Sequence, residues 1–310
     1  MLKMQPTIQS PTSSTGFRTW WNLLRPHTLT AAFIPVAIGA MLAHIDHSFH
    51  LLLFLSMLIA SLLIQAAANM INEYYDYKRG LDHEGSVGIG GAIVRDGIKP
   101  STVLTLAFSF FGIALLLGIY ICIQSSWWIA VIGLICMAAA YFYTGGPLPI
   151  AYTPFGELVA GFFMGVVIIG ITYYIQAGNL PSNVILLSIP TSITIGAILT
   201  ANNIRDLDND KENGRKTLVI LLGKKNSIIF IGSMFAVAYA LVILFVIMNL
   251  ITPFALISLA SIPVAIKATK GFIGKTQPME MMPAMAATAK TNTIMGFLLV
   301  IGLIIGNIFS

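Results

Sequence analysis

Two acidic stretches of this chain combine the residue types that bind divalent cations. Each pairs asparagine amides with aspartate carboxylates: Asn72, Asp76 and Asp82 in the first, and Asn202, Asp206 and Asp210 in the second. Residues four apart share one face of a helix, and Mg²⁺ prefers oxygen ligands, often joining carboxylates to substrate phosphates. The two stretches therefore predict a Mg²⁺ site that binds a diphosphate, with Asp82 reaching back from a loop after Gly80.

Basic and amide side chains around both stretches are suited to phosphate oxygens. The predicted substrate-binding residues are Asn69, Asn72, Lys78, Arg79, Asn202, Arg205, Arg215 and Lys216. Two alternatives stay open at this point. Charged residues at helix ends are often ordinary solvated loops. A cation transporter also uses carboxylates, although its sites usually lie near the middle of the membrane.

The composition places these charges in a membrane protein. Of 310 residues, 57% are hydrophobic and 9% are charged, whereas a soluble domain carries about 25% charged residues. The mean hydropathy is +0.86, so we predict a polytopic protein in a lipid bilayer. Its basic residues follow membrane topology, and nucleic acid is not an expected partner. Cys122 and Cys136 lie in apolar segments, where we expect free packing residues rather than a disulfide.

The charge-free segments set the number of membrane spans, since a helical span needs about 20 apolar residues. They predict nine helices: one each in 26–45, 47–72 and 291–310, and two each in 100–156, 158–204 and 226–266. The expected fold is all-α, a single domain over 1–310 with helices around a central cavity and a flexible polar tail over 1–19. All 17 Lys and Arg fall on one side, which predicts a cytoplasmic N-terminus and a site open to the cytoplasm.

The aromatic residues indicate what the cavity binds. Most of the 18 Phe and 10 Tyr are expected in the core or facing lipid, and a minority to line an apolar tunnel. A diphosphate site at the mouth of such a tunnel predicts a polyprenyl diphosphate. Tyr143 ends the fourth helix beside the acidic stretches, where it either contacts substrate or is an interfacial tyrosine. Glu157 begins the fifth helix, where a carboxylate also stabilises the helix dipole.

Four segments are similar to the UbiA superfamily of intramembrane aromatic prenyltransferases: 24–29, 72–82, 143–157 and 202–218. Within the superfamily, the chain resembles the 1,4-dihydroxy-2-naphthoate polyprenyltransferase (MenA) branch, because Asp82 follows Asp76 by six residues. Most other branches place that aspartate four residues on, where this chain has Gly80. Glu73 is a departure, since many members have aspartate there.

The resemblance implies a Mg²⁺-dependent aromatic prenyltransferase of a bacterial inner membrane. A polyprenyl chain passes from polyprenyl diphosphate to 1,4-dihydroxy-2-naphthoate with loss of diphosphate and CO₂, giving demethylmenaquinone in menaquinone biosynthesis. Asp76, Asp206 and Tyr143 are then catalytic. The implied Mg²⁺ ligands are Asn72, Asp76, Asp82, Asp206 and Asp210. The alternatives are another aromatic acceptor, such as 4-hydroxybenzoate, or a cation-coupled transporter. The sequence sets neither the prenyl length nor the oligomeric state.

Overall fold

The computed structural model describes residues 16–81 and 91–309, apart from the side chain of His27, and Asp82 lies outside this part of the chain. All regular elements of the described residues are helices. The main ones are α1 Phe17–Leu24, α2 Pro26–Ile45, α3 Leu51–Lys78, α4 Pro100–Gln124, α5 Trp128–Thr144, α6 Gly156–Ala177, α7 Ser182–Glu212, α8 Leu218–Ile247, α9 Pro253–Lys270 and α10 Pro278–Phe309. A short 3₁₀ turn, Ile150–Tyr152, lies between α5 and α6.

The lipid environment explains why these apolar segments are helical, because a helix satisfies its own backbone hydrogen bonds without water. Proline begins α2, α4, α9 and α10, where its missing N–H costs nothing. Among the described residues, eight helices are long and apolar enough to cross a membrane, and α5 is a shorter apolar helix of 17 residues. The predicted all-α fold with nine membrane helices is confirmed.

Several helix boundaries differ from the charge-free segments. The predicted tail overlaps α1, which begins at Phe17, while residues 1–15 lie outside the described part. The last helix begins at Pro278 rather than at 291, because the charge-free criterion omits the turns that carry Glu280 and Lys290. The charge-free criterion also ends the predicted spans of α3 and α7 too early, because charged residues lie in their last turns. Both helices continue past those ends, so most residues of the two acidic stretches are helical.

Close backbone packing joins α6 to α7, as is usual where lipid is as apolar as the side chains. A Cβ on Gly161 would lie 2.6 Å from the backbone oxygen of Ser192, and one on Gly165 would lie 2.5 Å from Ser192 Cα. At this contact α6 contains a π-helical segment, Phe162–Val167, which includes Gly165. Such segments are frequent at functional sites, and Phe163 of this one lines the central cavity.

Candidate active site

The first acidic stretch ends in a Schellman motif at the C-terminus of α3. The N–H of Gly80 donates to Tyr77 O at 3.0 Å, and the N–H of Leu81 donates to Asp76 O at 2.9 Å. Gly80 has a left-handed φ of 72°, which glycine adopts without steric cost. The motif fixes Asp76 in the last turn of α3, where its carboxylate is part-buried.

The second acidic stretch ends α7 in the same motif. The N–H of Gly214 donates to Lys211 O at 3.2 Å, and the N–H of Arg215 donates to Asp210 O at 3.0 Å. Gly214 has a φ of 75°, which closes the helix in the same way. Asp210 therefore occupies the position in α7 that Asp76 occupies in α3. The repeated Asp-x-x-x-Gly spacing is the sequence signal for this equivalence.

Arg215 joins the two acidic stretches. Its Nη2 lies 3.2 Å from Asp76 Oδ1, and its Nη1 lies 3.0 Å from Asp210 Oδ1. The Asp210 side chain is only 3% exposed. Burial by itself disfavours the charged guanidinium, but the carboxylates of Asp210 and Asp76 outweigh it and raise the pKa of Arg215 above its usual value. The ends of α3 and α7 thus meet at one cation.

Arg79 approaches the same place from the Schellman turn of α3. It donates to the carbonyl oxygens of Thr144 at 2.6 Å and Gly146 at 2.7 Å, just after α5. Its guanidinium carbon lies 5.1 Å from the ring centroid of Tyr152, and that of Arg215 lies 4.5 Å from the same centroid. Tyr152 therefore holds two cations close together through cation–π contacts, a role that sequence reasoning missed.

Arg25 is a second residue whose role sequence reasoning missed. It lies between α1 and α2 in a left-handed conformation, with φ 52°. Its Nη1 donates to Asn72 Oδ1 at 2.9 Å, and its Nη2 lies 3.3 Å from Glu73 Oε2. Glu73 is 1% exposed and also accepts from the N–H of Gly91 at 2.6 Å. Glu73 thus fixes Arg25 and the 91–93 segment and does not face the cavity.

A central cavity of about 370 Å³ opens beside these groups. Arg25, Asn72 and Asn202 line its polar end, and apolar side chains from α2 to α7 line most of the rest. Along α3 the lining runs from Asn72 to Met57, a rise of about 22 Å. The cavity therefore has a charged mouth and a long apolar interior, as an amphipathic substrate requires.

Tyr143 and Glu157 lie at one side of this mouth. Tyr143 lines the cavity, and a Cβ on Gly156 would come 3.2 Å from its hydroxyl oxygen. Glu157 is buried, with 5% exposure, and its Oε1 accepts from Asn203 Nδ2 at 2.7 Å. Its Oε2 is buried without a partner among the described residues. Glu157 therefore packs against α7 instead of pointing into solvent at a helix start.

Two of the predicted substrate-binding residues, Asn69 and Arg205, bind other groups of the protein. Asn69 Nδ2 donates to Leu24 O at 3.0 Å and to Thr28 Oγ1 at 2.9 Å, holding the junction of α1 and α2. Arg205 donates two hydrogen bonds to the carboxylate of its neighbour Asp206, and its Nε lies 2.6 Å from Oδ1. Asn202 lines the cavity. Asn69 lines the same cavity, so both asparagines lie where the sequence predicts.

The two predicted lysines lie at the outer rim. The Lys78 side chain is exposed, with Nζ 5.9 Å from the ring centroid of Tyr75. Lys216 is also exposed, and its backbone N–H donates to Tyr152 O at 2.9 Å. Asp82 lies outside the described residues. The two lysines are placed to meet an anion that approaches the mouth from solvent.

Comparison with known proteins identifies the family. Residues 32–294 match the UbiA prenyltransferase family. The chain belongs to this family. It is 54% identical over 285 residues to the 1,4-dihydroxy-2-naphthoate octaprenyltransferase of Bacillus subtilis (strain 168), a match that covers 92% of each protein.

Solved structures of UbiA homologs share the fold. A homolog from Aeropyrum pernix K1 aligns with a TM-score of 0.69 at 18% identity, over 89% of this chain and 98% of that one. A homolog from Archaeoglobus fulgidus bound to DMAPP and Mg²⁺ aligns with a TM-score of 0.64 at 16% identity, over 91% and 99%. At these identities the comparison establishes the helical architecture of the family.

The acidic oxygens of this UbiA family member fit a divalent cation in two respects. Asp210 Oδ2 is buried without a partner among the described residues, and Asp76 and Asp210 converge on one guanidinium. Carboxylate and amide oxygens are also the donors that Mg²⁺ prefers. Within the described part of the chain, no group of three acidic, histidine or cysteine side chains is arranged to hold a metal.

Proposed function

We propose that this chain transfers a polyprenyl group from polyprenyl diphosphate to 1,4-dihydroxy-2-naphthoate, releasing diphosphate and CO₂. The name of the Bacillus subtilis relative supports the choice of acceptor, since the two chains are 54% identical over 92% of their length. The observation that carries the proposal is the convergence of Asp76, Asp210 and Arg215 beside the mouth of an apolar cavity. A diphosphate fits the charged mouth, and its hydrocarbon tail fits the interior.

The reaction balances without an added oxidant. The allylic C–O bond breaks, and diphosphate leaves with the electron pair. The ring carbon that bears the carboxylate forms the new C–C bond, and that carboxylate departs as CO₂. Both ring hydroxyls are kept, so the direct product is the hydroquinone form of demethylmenaquinone.

The basic residues of the mouth bind the leaving group in this proposal. Arg215 and Arg79 lie against one tyrosine ring and donate to diphosphate oxygens as negative charge develops on them. The residues proposed to hold Mg²⁺ are Asn72, Asp76, Asp82, Asp206 and Asp210. When bound, Mg²⁺ neutralises charge on the diphosphate. Asp206 is held by Arg205, and each of its carboxylate oxygens keeps a further lone pair for a cation.

The acceptor ring is proposed to lie between the mouth and Tyr143. The Tyr143 side chain lines the cavity at the end of α5, and its hydroxyl orients the naphthoate by hydrogen bonding. We place the mouth on the cytoplasmic face of a bacterial inner membrane, where water-soluble naphthoate and Mg²⁺ are supplied. The apolar interior then lies within the bilayer.

The proposal is tested with the purified chain, octaprenyl diphosphate and 1,4-dihydroxy-2-naphthoate, with the product identified by mass spectrometry. Asp76→Asn and Asp210→Asn are each expected to lower kcat/KM about a hundredfold, because each removes a carboxylate proposed to hold the Mg²⁺ that neutralises the leaving diphosphate. Asp208→Asn is the matched control, since Asp208 lies on the same stretch of α7 but is exposed. It should retain wild-type activity.

Two further outcomes decide the proposal. A chelator should abolish turnover, and added Mg²⁺ should restore it. Full activity in excess chelator, or in both Asp76→Asn and Asp210→Asn, would contradict the diphosphate site. Preference for 4-hydroxybenzoate over the naphthoate would contradict the acceptor.

A further inference from the structure

Arg215 bridges two of the carboxylates that the proposed function assigns to Mg²⁺. Its Nη2 lies 3.2 Å from Asp76 Oδ1, and its Nη1 lies 3.0 Å from Asp210 Oδ1. One guanidinium therefore joins the last turns of α3 and α7 with two of its nitrogen atoms. A divalent cation shared by the same two aspartates would make the same connection, because it also binds carboxylate oxygens.

Burial makes this bridge stronger than an ordinary surface ion pair. The side chains of Arg215, Asp76 and Asp210 are 14%, 16% and 3% exposed. Water therefore screens the attraction between their charges only weakly, whereas it screens most of the attraction in an exposed pair. A metal ion that binds Asp76 and Asp210 has to act against this ion pair.

The guanidinium and a metal ion at these carboxylates also repel each other. Mg²⁺ lies about 2.0–2.1 Å from its oxygen ligands, and the Arg215 nitrogen atoms lie 3.0 and 3.2 Å from the same aspartate oxygens. An ion on either oxygen would thus be within about 5 Å of a guanidinium nitrogen, where a double and a single positive charge repel strongly in a part-buried site. Negative charge that enters with the ion would relieve this repulsion.

The ion pair leaves one donor and one acceptor of these side chains unused. Arg215 Nε and Asp210 Oδ2 are buried, and neither has a partner among the described residues. Buried polar groups normally have hydrogen-bond partners. A diphosphate oxygen would accept from Nε, and a metal ion would bind Oδ2. Mg²⁺ and a diphosphate together therefore supply a partner for each of the two atoms.

The surroundings of Arg215 allow its side chain to turn from the carboxylates to a diphosphate. Its guanidinium carbon lies 4.5 Å from the ring centroid of Tyr152, and a cation–π contact does not fix the direction of the N–H groups. The backbone is held by the N–H of Arg215, which donates to Asp210 O, and by the N–H of Lys216, which donates to Tyr152 O. Only side-chain torsions have to change.

We propose that Arg215 competes with Mg²⁺ for Asp76 and Asp210, and that the diphosphate relieves the competition by binding Arg215. This inference rests on the proposed function and adds an order of events to it. The metal ion binds tightly only together with the diphosphate. When the diphosphate leaves, Arg215 returns to the two aspartates and promotes release of the ion.

The test measures metal binding in the absence of substrate. Mn²⁺ prefers the same oxygen ligands as Mg²⁺, and its paramagnetic resonance signal gives a Kd for the purified protein. Arg215→Gln should bind Mn²⁺ about tenfold more tightly than the wild type, because it removes the competing charge. Lys211→Gln is the matched control. It removes a charge beside Asp210 from an exposed side chain, which solvent screens, so Kd should stay within about threefold of the wild type.

A thermal melt detects the dependence on the diphosphate. Mg²⁺ alone should leave the Tm of the wild type almost unchanged, and Mg²⁺ with inorganic diphosphate should raise it, because a ligand stabilises the fold it binds. In Arg215→Gln, Mg²⁺ alone should already raise Tm. Equal stabilisation of the wild type by Mg²⁺ with and without diphosphate would contradict the competition.

The metal-binding experiment has an outcome that overturns the inference. If Arg215→Gln bound Mn²⁺ as weakly as the wild type or more weakly, the guanidinium would only join the two helices. If that variant does not fold, Arg215→Lys replaces it, since a single ammonium bridges two carboxylates less well than a guanidinium. Arg215→Lys should bind Mn²⁺ more tightly than the wild type, and the same or weaker binding would again overturn the competition.

These measurements separate the competition from the proposed function. They use no aromatic acceptor and no prenyl transfer. A wild type that binds metal as described but transfers no prenyl group to the naphthoate would contradict the proposed function alone. A wild type that forms the product while Arg215→Gln shows no gain in Mn²⁺ affinity would contradict the competition alone.

Discussion

At the scale of single residues, Arg215 and Tyr152 make the most important contacts of the site. Arg215 compensates two carboxylates, while the partners of Arg79 among the described residues are carbonyl oxygens and aromatic rings. Tyr152 keeps both guanidiniums close to each other although their charges repel. An anion at the mouth would relieve that repulsion, which is the condition that a diphosphate satisfies.

Tyr152 is therefore predicted to position the two arginines. Tyr152→Leu should raise KM for the diphosphate substrate about tenfold, since cation–π contacts contribute about 0.5–2 kcal/mol each. Tyr152→Phe keeps the aromatic ring, so its KM should equal that of the wild type. Steady-state kinetics with varied diphosphate concentration measures both variants. Tyr77→Leu, an exposed tyrosine of α3, is the control. Equal KM in Tyr152→Leu and the wild type would exclude the positioning role.

Glu73 is predicted to act on stability more than on chemistry. Glu73→Gln keeps the side-chain length and an oxygen that can accept from the N–H of Gly91, but removes the charge that pairs with Arg25. Because Glu73 is 1% exposed, the uncompensated partner should lower the free energy of unfolding by about 2 kcal/mol. A thermal melt in detergent measures this. Glu212→Gln, at an exposed position, should melt like the wild type, and an unshifted Glu73→Gln would rule out this role.

The sequence identifies the ionisable residues of the site but not their partners. Asp76 and Asp210 stand out because charge beside an apolar span is unusual. Arg25 and Tyr152 do not stand out, since their contacts depend on how distant segments pack. Arg25 reaches Asn72 across 47 positions of the chain. Asn69 lines the cavity as its helix face predicts, but its hydrogen bond to the junction of α1 and α2 is visible only in the structure.

At the scale of helices, the matching ends of α3 and α7 determine where the aspartates lie. Each helix stops at a left-handed glycine, and each places an aspartate carbonyl under the closing hydrogen bond. The spacing Asp-x-x-x-Gly is visible in the sequence at Asp76–Gly80 and Asp210–Gly214. The spacing alone does not show that the helix ends at the glycine. The backbone angles show it, because the same spacing inside a continuous helix would not end that helix.

Gly214 is therefore predicted to be required for the position of Arg215. Gly214→Ala forces a β-carbon into the left-handed region at a cost of about 1–2 kcal/mol, and should lower activity several-fold by displacing Arg215. Gly214→Asn, which tolerates this region, should retain most activity. Kinetic assays of both variants test this.

Gly274 provides the matched control for that experiment. It has a φ of 72° and no atom within 4 Å of an added Cβ, like Gly214, but it lies between α9 and α10, away from the site. Gly274→Ala should lose similar stability and keep its kcat/KM. If Gly214→Ala and Gly274→Ala had the same activity, the helix end would have no specific role.

At the scale of the whole molecule, the fold follows from composition because lipid permits few alternatives. The number of membrane helices is set by the apolar segments, and their ends are set by Pro and Gly. The course of the cavity is different, since it depends on which faces of α3 to α7 diverge. Gly118 and Gly133 line the cavity with open space beside them, which only the structure shows.

The distribution of charge predicts how the molecule lies in the membrane. The connections on the side of the charged mouth carry the Lys and Arg residues, whereas the opposite connections, 46–50, 125–127, 178–181 and 248–252, contain none. Positive loops stay in the cytoplasm, so the mouth and the N-terminus should face the cytoplasm. Labelling of introduced cysteines in intact cells measures this orientation.

Asn179→Cys and Glu212→Cys report the two sides, since both positions are exposed and lie at opposite ends of α7. A membrane-impermeant maleimide should label Asn179→Cys in intact cells and label Glu212→Cys only after permeabilisation. Cys122 and Cys136 are free and line the cavity within the spans, so the unsubstituted chain gives the background. The reverse labelling pattern would place the mouth outside the cell, where cytoplasmic naphthoate would not reach it.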